Sequence, residues 1–183
     1  FTTDAQGNKV QFFLPLAKEQ LLLKCDSMQL YGRAFASGIA GDHQQWFDKF
    51  RVAVGPLDSQ MLNVEVSKKN NRTVAVSVMN KPMTQFGVVA YNGVELAVSR
   101  NEAKRIGTGY SETVDMTVGN TRMQFMSAAA VKFASKTEQV RYTHLDVKFP
   151  ALDTKTCTSG ILAQIWGVVK MSPQTVAMLK PSA

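Results

Sequence analysis

Asn92-Gly93 is the feature that most constrains how this chain folds, because it stands between Phe86-Gly-Val-Val-Ala-Tyr91 and Val94-Glu-Leu-Ala-Val98, two short β-rich runs. A two-residue type I′ connection needs positive φ at both central positions, which Asn and Gly supply at little cost, so the dipeptide predicts a tight antiparallel hairpin. The device recurs. Gly119-Asn120 separates the β-like runs 113–118 and 122–126, and the runs 61–66 and 73–78 flank a polar tip at 67–72. A chain that doubles back this often pairs its strands with sequence neighbours.

The remaining segments extend the pattern. Gly7-Asn8 turns into a strand at 10–14 that Pro15 stops, 21–25 and 28–35 pair across Asp26-Ser27, and 46–54 re-enters a sheet after the polar loop 37–45. Two more strands are expected at 140–149 and 160–166. In 28–35 one face carries Met28, Leu30, Gly32 and Ala34 and the other Gln29, Tyr31, Arg33 and Phe35, so neither is cleanly polar. Such a strand, like that at 61–66, is either central in a sheet or covered by another subunit. Helical signals are confined to the Ala-rich stretch 127–135 and to 172–179, where Ser172 caps and Pro173 occupies the first turn. The expected class is all-β: an antiparallel β-sandwich or flattened barrel with one or two short helices, as one domain spanning 1–183. A weak internal echo, Gly7-Asn-Lys-Val-Gln-Phe against Gly119-Asn-Thr-Arg-Met-Gln-Phe, raises a duplication of 1–118 and 119–183.

A chain of 183 residues buries roughly two thirds of its unfolded surface and folds without staples. No apolar run approaches the roughly 18 residues of a membrane helix. The first residue is Phe1 rather than Met, from which removal of a leader, propeptide or larger parent segment is expected. Cys25 and Cys157 lie 132 positions apart, too far for a zinc or C-x-x-C motif. They form either one long-range disulfide or two reduced core thiols, and the missing Met together with the Asn71-Arg72-Thr73 sequon favours the disulfide. The formal charge of +7 favours polyanions, whether nucleic acid, acidic polysaccharide or an acidic membrane surface. The basic residues are nonetheless scattered, densest at Lys68-Lys69 with Arg72 and at Lys104-Arg105.

Thr2-Thr3-Asp4 with Gly7 and the following strand resembles the opening of von Willebrand factor type D domains, where a His-Phe-x-Thr-x-Asp-Gly stretch enters a strand. Residues 28–35, 46–54 and 61–66, together with Tyr91-Asn-Gly-Val-Glu-Leu-Ala-Val98, His144-Leu-Asp-Val-Lys-Phe149 and Ser159-Gly-Ile-Leu-Ala-Gln-Ile-Trp166, resemble the related plant root-cap and late-embryogenesis-like domains. Ala163 stands where a second Gly is usual there, and Trp166 is a further departure. The resemblance implies an extracytoplasmic, non-enzymatic module of an adhesive, matrix or wall protein. The metal binding of some type D domains is not carried over.

No catalytic motif stands out. There is no G-x-S-x-G elbow, phosphate loop, H-E-x-x-H or EF-hand loop, and scattered Ser, His and Asp letters specify no triad. His43 reads as loop polarity, and His144 as part of a solvated strand face with Asp146 and Lys148. Asp4 and Asp153 are weak cation candidates at the sheet ends. Trp46 with Phe47, Tyr31 and Phe35 reads as core first and as an aromatic platform second. Arg33, Lys49 and Arg51 in the same strands, with Trp46 and with Lys68, Lys69 and Arg72 at the hairpin tip, form the candidate ligand-binding set. Asn71 is the candidate glycosylation site. The expected function is a structural or adhesive, self-assembling module, secreted or at the cell surface, without cofactor, whose partners are copies of itself or matrix proteins. A carbohydrate- or polyanion-binding module, with anionic polysaccharide as partner, is the alternative, and a polysaccharide-modifying hydrolase the second; nucleic acid is disfavoured for want of an RNP-type motif.

Overall fold

The computed structural model describes residues 1–56, 60–69, 73–102 and 112–181. Fourteen strands and two short α-helices occur among them. β1 (Thr2–Thr3) and β2 (Lys9–Val10) form a small ribbon. The main sheet is built from β3 (Glu19–Cys25), β4 (Met28–Ala36), β5 (Gln45–Val54), β6 (Leu62–Lys68), β7 (Val74–Val78), β8 (Lys81–Pro82), β9 (Gly87–Tyr91), β10 (Val94–Glu102), β11 (Glu112–Val118), β12 (Thr121–Phe133), β13 (Gln139–Ala151) and β14 (Cys157–Ser159). A 3₁₀ turn (Thr154–Thr156) precedes β14, and α1 (Ile161–Ile165) and α2 (Pro173–Ala177) close the chain.

All pairings are antiparallel and the sheet curls into a half-barrel, as the hairpin chemistry predicts. Tyr91 opposes Val94 across Asn92 (φ 50°) and Gly93 (φ 78°), the two positive values a type I′ turn needs. One path runs β14-β3-β4-β5-β13-β12-β11-β10-β9. It forks at β5. β4 takes one edge of β5, whereas the other edge is shared: Lys49 to Val54 pair with β6, and Phe47 pairs with Leu145 of β13. The two arms fold face to face, so Phe50 of β5 and Phe125 of β12 meet at 5.4 Å between ring centroids, both fully buried. Each such ring contributes about 2–3 kcal/mol by leaving water.

β4 lies between β3 and β5, and β6 between β5 and β7. Along both strands the inward residues, Leu30 and Ala34 on β4 and Leu62, Val64 and Val66 on β6, are buried, while Tyr31, Arg33, Asn63 and Glu65 on the opposite face are half-exposed. Trp166 Nε1 donates to Thr2 Oγ1 (2.8 Å), and the Phe13 amide donates to the Met178 carbonyl (2.7 Å), which fastens both chain ends to the body. Ser172 accepts from the Thr175 amide at 3.2 Å and caps α2 as expected.

Three expectations are corrected. The Ala-rich stretch 127–135 is not helical: Ser127 to Phe133 continue β12, paired residue by residue with β13, because the ladder overrides the modest helix preference of Ala. Within the expected strand 160–166, Ile161–Ile165 form α1 instead; Ile161, Leu162 and Ile165 recur at helical spacing and are all buried. The strand after Gly7-Asn8 is only β2, and beyond it Leu14 pairs through its amide and carbonyl with the side chain of Gln45 (2.8 and 3.0 Å) instead of with a strand.

Cys25 and Cys157 form the disulfide. They oppose each other directly on β3 and β14, both buried, with Cα atoms 3.8 Å apart, closer than the usual range of about 4.4–6.8 Å for such bonds.

Candidate functional site

The fork in the sheet sets the site. β6 leaves the β5 ladder after Ser67, so Lys68 is the first residue free to reach sideways toward β13. Its Nζ donates to the Thr143 carbonyl at 2.9 Å and sits 4.0 Å from the centroid of the Phe35 ring. Burial holds this ammonium below its ordinary range, with Asp48 pulling the other way and Arg33 adding to the depression. Behind it lies an aromatic wedge. Phe35 of β4 is opposite Trp46 of β5 (5.8 Å between rings), and Trp46 stacks on Tyr142 of β13 at 4.9 Å and 16°. Tyr142 Oη donates to the Ser37 carbonyl at 2.7 Å, which fixes the ring in place.

In front of this wedge is a surface depression of about 380 Å³ lined by Phe35, Lys68, Lys69, Arg141, Tyr142 and Thr143. Three of the six are cations. Among the described residues no carboxylate comes within 4.0 Å of any of them. Two ammonium groups and one planar guanidinium around a single opening supply charge-assisted donors suited to a carboxylate, sulfate or phosphate. A neutral sugar needs an open ring face instead. Lys68 covers one face of Phe35 and Trp46 covers one face of Tyr142, which leaves charge as the dominant feature of the opening.

The other expected cations do not line the depression, although the Arg33–Asp48 pair is near enough to act on Lys68. Arg33 grips Asp48 through Nε and Nη2, both at 2.9 Å. Lys49 pairs with Glu65 and Glu19, and Arg51 bonds Glu19 (3.1 Å) and Asn63 (2.9 Å) while lying 4.1 Å over the Tyr31 ring. Each of the three therefore has a carboxylate partner, in a cross-strand ladder whose links contribute about 0–1 kcal/mol apiece. Trp46, only 7% exposed, does not line the depression; it packs behind Phe35 and Tyr142, which do. Arg72 and the sequon Asn71 lie outside the described residues, as do Lys104 and Arg105. Sequence reasoning missed Arg141 and Thr143, whose strand lies some seventy positions from Lys68; the visible sign was the basic–aromatic pair Arg141-Tyr142.

His144 departs from the solvated reading. It is 8% exposed, packed 6.0 Å from Trp46, with Nε2 at 3.8 Å from Asp146 Oδ1. Burial holds the imidazole below its ordinary value of 6.5, with Asp146 opposing that shift. Both faces of β13 are covered here, since Leu145 is also buried. His144 and Asp146 border a second cleft, of about 420 Å³, whose walls include Trp46, Phe149 and Trp166. His43 is exposed in its loop. The carboxylates of Asp4 and Asp153 accept from backbone amides of their own turns, and no group of three metal-ligating side chains occurs among the described residues. No helix in those residues is long and apolar enough to cross a membrane.

Comparisons with protein-family models, with curated proteins and with solved structures gave no match.

Proposed function

We propose that this chain is a non-enzymatic structural or adhesive module of an extracytoplasmic assembly, which holds its partner through an anionic group seated between Lys68, Lys69 and Arg141. The observation that carries the reading is the convergence of these three cations, from β6, its following residue and β13, on one opening with no carboxylate within 4.0 Å among the described residues. A cluster of like charges costs stability through self-repulsion. Unlike the ladder cations, these are left for a ligand to neutralise. The buried disulfide supports an oxidising compartment, and the resemblance to type D and root-cap domains supports a matrix or wall setting.

Retention on an immobilised sulfated polymer tests the reading. Wild-type protein is expected to elute above physiological salt, and Lys68→Met with Lys69→Gln and Arg141→Gln to elute well below it. Arg33→Gln with Lys49→Gln and Arg51→Gln removes the same formal charge from the ladder and is expected to elute close to wild type. Equal losses from the two triple variants would reduce the binding to net charge and overturn the site.

A further inference from the structure

Past Met126 on β12, no described strand lies along the outer edge, since the β11 pairing ends at Thr113 opposite Met126. On the other side, the β5 ladder meets β13 only at Leu145, although Tyr142 and His144 still pack on Trp46. Among the described residues, 128–133 and 139–144 therefore have ladder partners only in each other, as a two-stranded ribbon closed by the Ala134 amide on the Glu138 carbonyl at 3.0 Å. Direct pairing puts Val131 opposite Arg141 and Phe133 opposite Gln139. Alternation places Val131, Phe133, Arg141 and Thr143 on one face, and Arg141 and Thr143 line the cationic opening together with Lys68. On that face Phe133 is 63% exposed and Val131 40% exposed. An exposed phenyl ring and an exposed isopropyl group thus stand next to the cationic opening, at the free end of the ribbon.

We infer that the ribbon docks the protein on an anionic lipid bilayer, with Phe133 and Val131 entering the acyl boundary while Arg141, Lys68 and Lys69 hold lipid headgroups. This rests on the anion-binding reading and names its partner. Charge complementarity supports it: Lys136 adds to the three cations, Lys132 is tied to Asp42 at 3.6 Å, and Glu138 is the acidic residue of the tip. Val131, Phe133 and Arg141 share one face, so the ribbon meets the bilayer side-on and the polar tip 134–138 stays at headgroup level. A soluble acidic polymer satisfies the cations equally but gives an aliphatic side chain no apolar phase to enter. One chain of moderate apolar area binds membranes weakly and reversibly, so both the apolar and the cationic part are needed.

Co-sedimentation with vesicles tests this in three arms: phosphatidylcholine alone, equimolar phosphatidylcholine and phosphatidylserine, and a soluble sulfated polymer without lipid. Wild-type protein is expected to bind the mixed vesicles and the polymer but not phosphatidylcholine alone. Val131→Ser with Phe133→Ser, both at exposed positions, is expected to lose about tenfold or more on the mixed vesicles and to keep polymer binding. Phe133→Trp is expected to shift its emission to the blue on mixed vesicles and not on polymer. Polymer binding without vesicle binding would overturn the bilayer and leave the anion reading standing; binding to neither would overturn both. Unchanged vesicle binding by the double serine variant, or equal loss on vesicles and polymer, would also overturn the insertion.

Discussion

Lys68 and Thr143 are separated by 75 positions in sequence, yet Lys68 Nζ donates to the Thr143 carbonyl at 2.9 Å across the point where the sheet divides. The bond holds β6 against β13 and, with Phe35 beneath it, presents a partly desolvated ammonium at the mouth of the depression. One side chain thus closes the fork and supplies charge to the site.

These two roles separate in Lys68→Met. Methionine keeps an unbranched stem over Phe35 and gives up the ammonium. The loss of one partly solvated hydrogen bond is expected to cost about 1 kcal/mol. Binding to a sulfated polymer is expected to weaken strongly, and the slope of log K against log salt to become shallower by about one, as one fewer cation releases its counterion. Calorimetric unfolding beside salt-dependent binding checks this; an unchanged slope would remove Lys68 from the site.

The disulfide joins a strand from the start of the main sheet to one near the end of the chain, closing a loop of 132 residues. In the chain-entropy account such a loop stabilises by about 4–5 kcal/mol. The double variant Cys25→Ser with Cys157→Ser is expected to lose about 2–5 kcal/mol in denaturant unfolding. Both sulfurs belong to buried residues, so native protein is expected to resist reductant until it opens. Mass spectrometry after alkylation should show no modified cysteine without reduction and two with it.

Much of the architecture was legible because turns speak locally. Asn92-Gly93 and Gly119-Asn120 needed only their own backbone preferences and β-rich flanks to be read as hairpins. The failures occurred where a distant partner decided the outcome. Ala128, Ala129 and Ala130 have helix-favouring side chains, but β13 supplies a complete set of ladder partners. Ile161 to Ile165 was too short and apolar a run to separate from a strand, until burial on helical spacing did so. In the site, Lys68 and Lys69 were visible as a basic pair, whereas Arg141 joins them only through the fork. Arg33, Lys49 and Arg51 looked free because their partners Asp48, Glu19 and Glu65 come from other strands.

His144 predicts a pH dependence of stability. Its folded pKa is lowered by burial, so the unfolded chain binds protons more readily between that value and the ordinary 6.5. Stability therefore rises with pH through this window, is complete above 6.5, and is lost as pH falls below it. The urea midpoint of wild type is expected to drop between neutral pH and about pH 5, and that of His144→Gln to drop less. Identical declines would assign the effect to other groups.

Gly160 is expected to tolerate no side chain. It sits between Cys157 and the first turn of α1, buried, at φ 109°, a conformation that L side chains rarely adopt. A Cβ built there would lie 2.5 Å from the Leu22 carbonyl oxygen and 2.7 Å from Leu23 Cα, both backbone atoms of β3, which is paired on both sides by β14 and β4. Neither can yield without breaking the ladder that carries the disulfide. Gly160→Ala is expected to lose about 3 kcal/mol or more, the backbone strain and the clash adding together. Gly87→Ala is the matched control: nothing lies within 4 Å of its Cβ, so a change of less than about 1 kcal/mol is expected. Denaturant unfolding of the two variants decides the point, and similar midpoints would mean that β3 and α1 are not packed as closely as Gly160 requires.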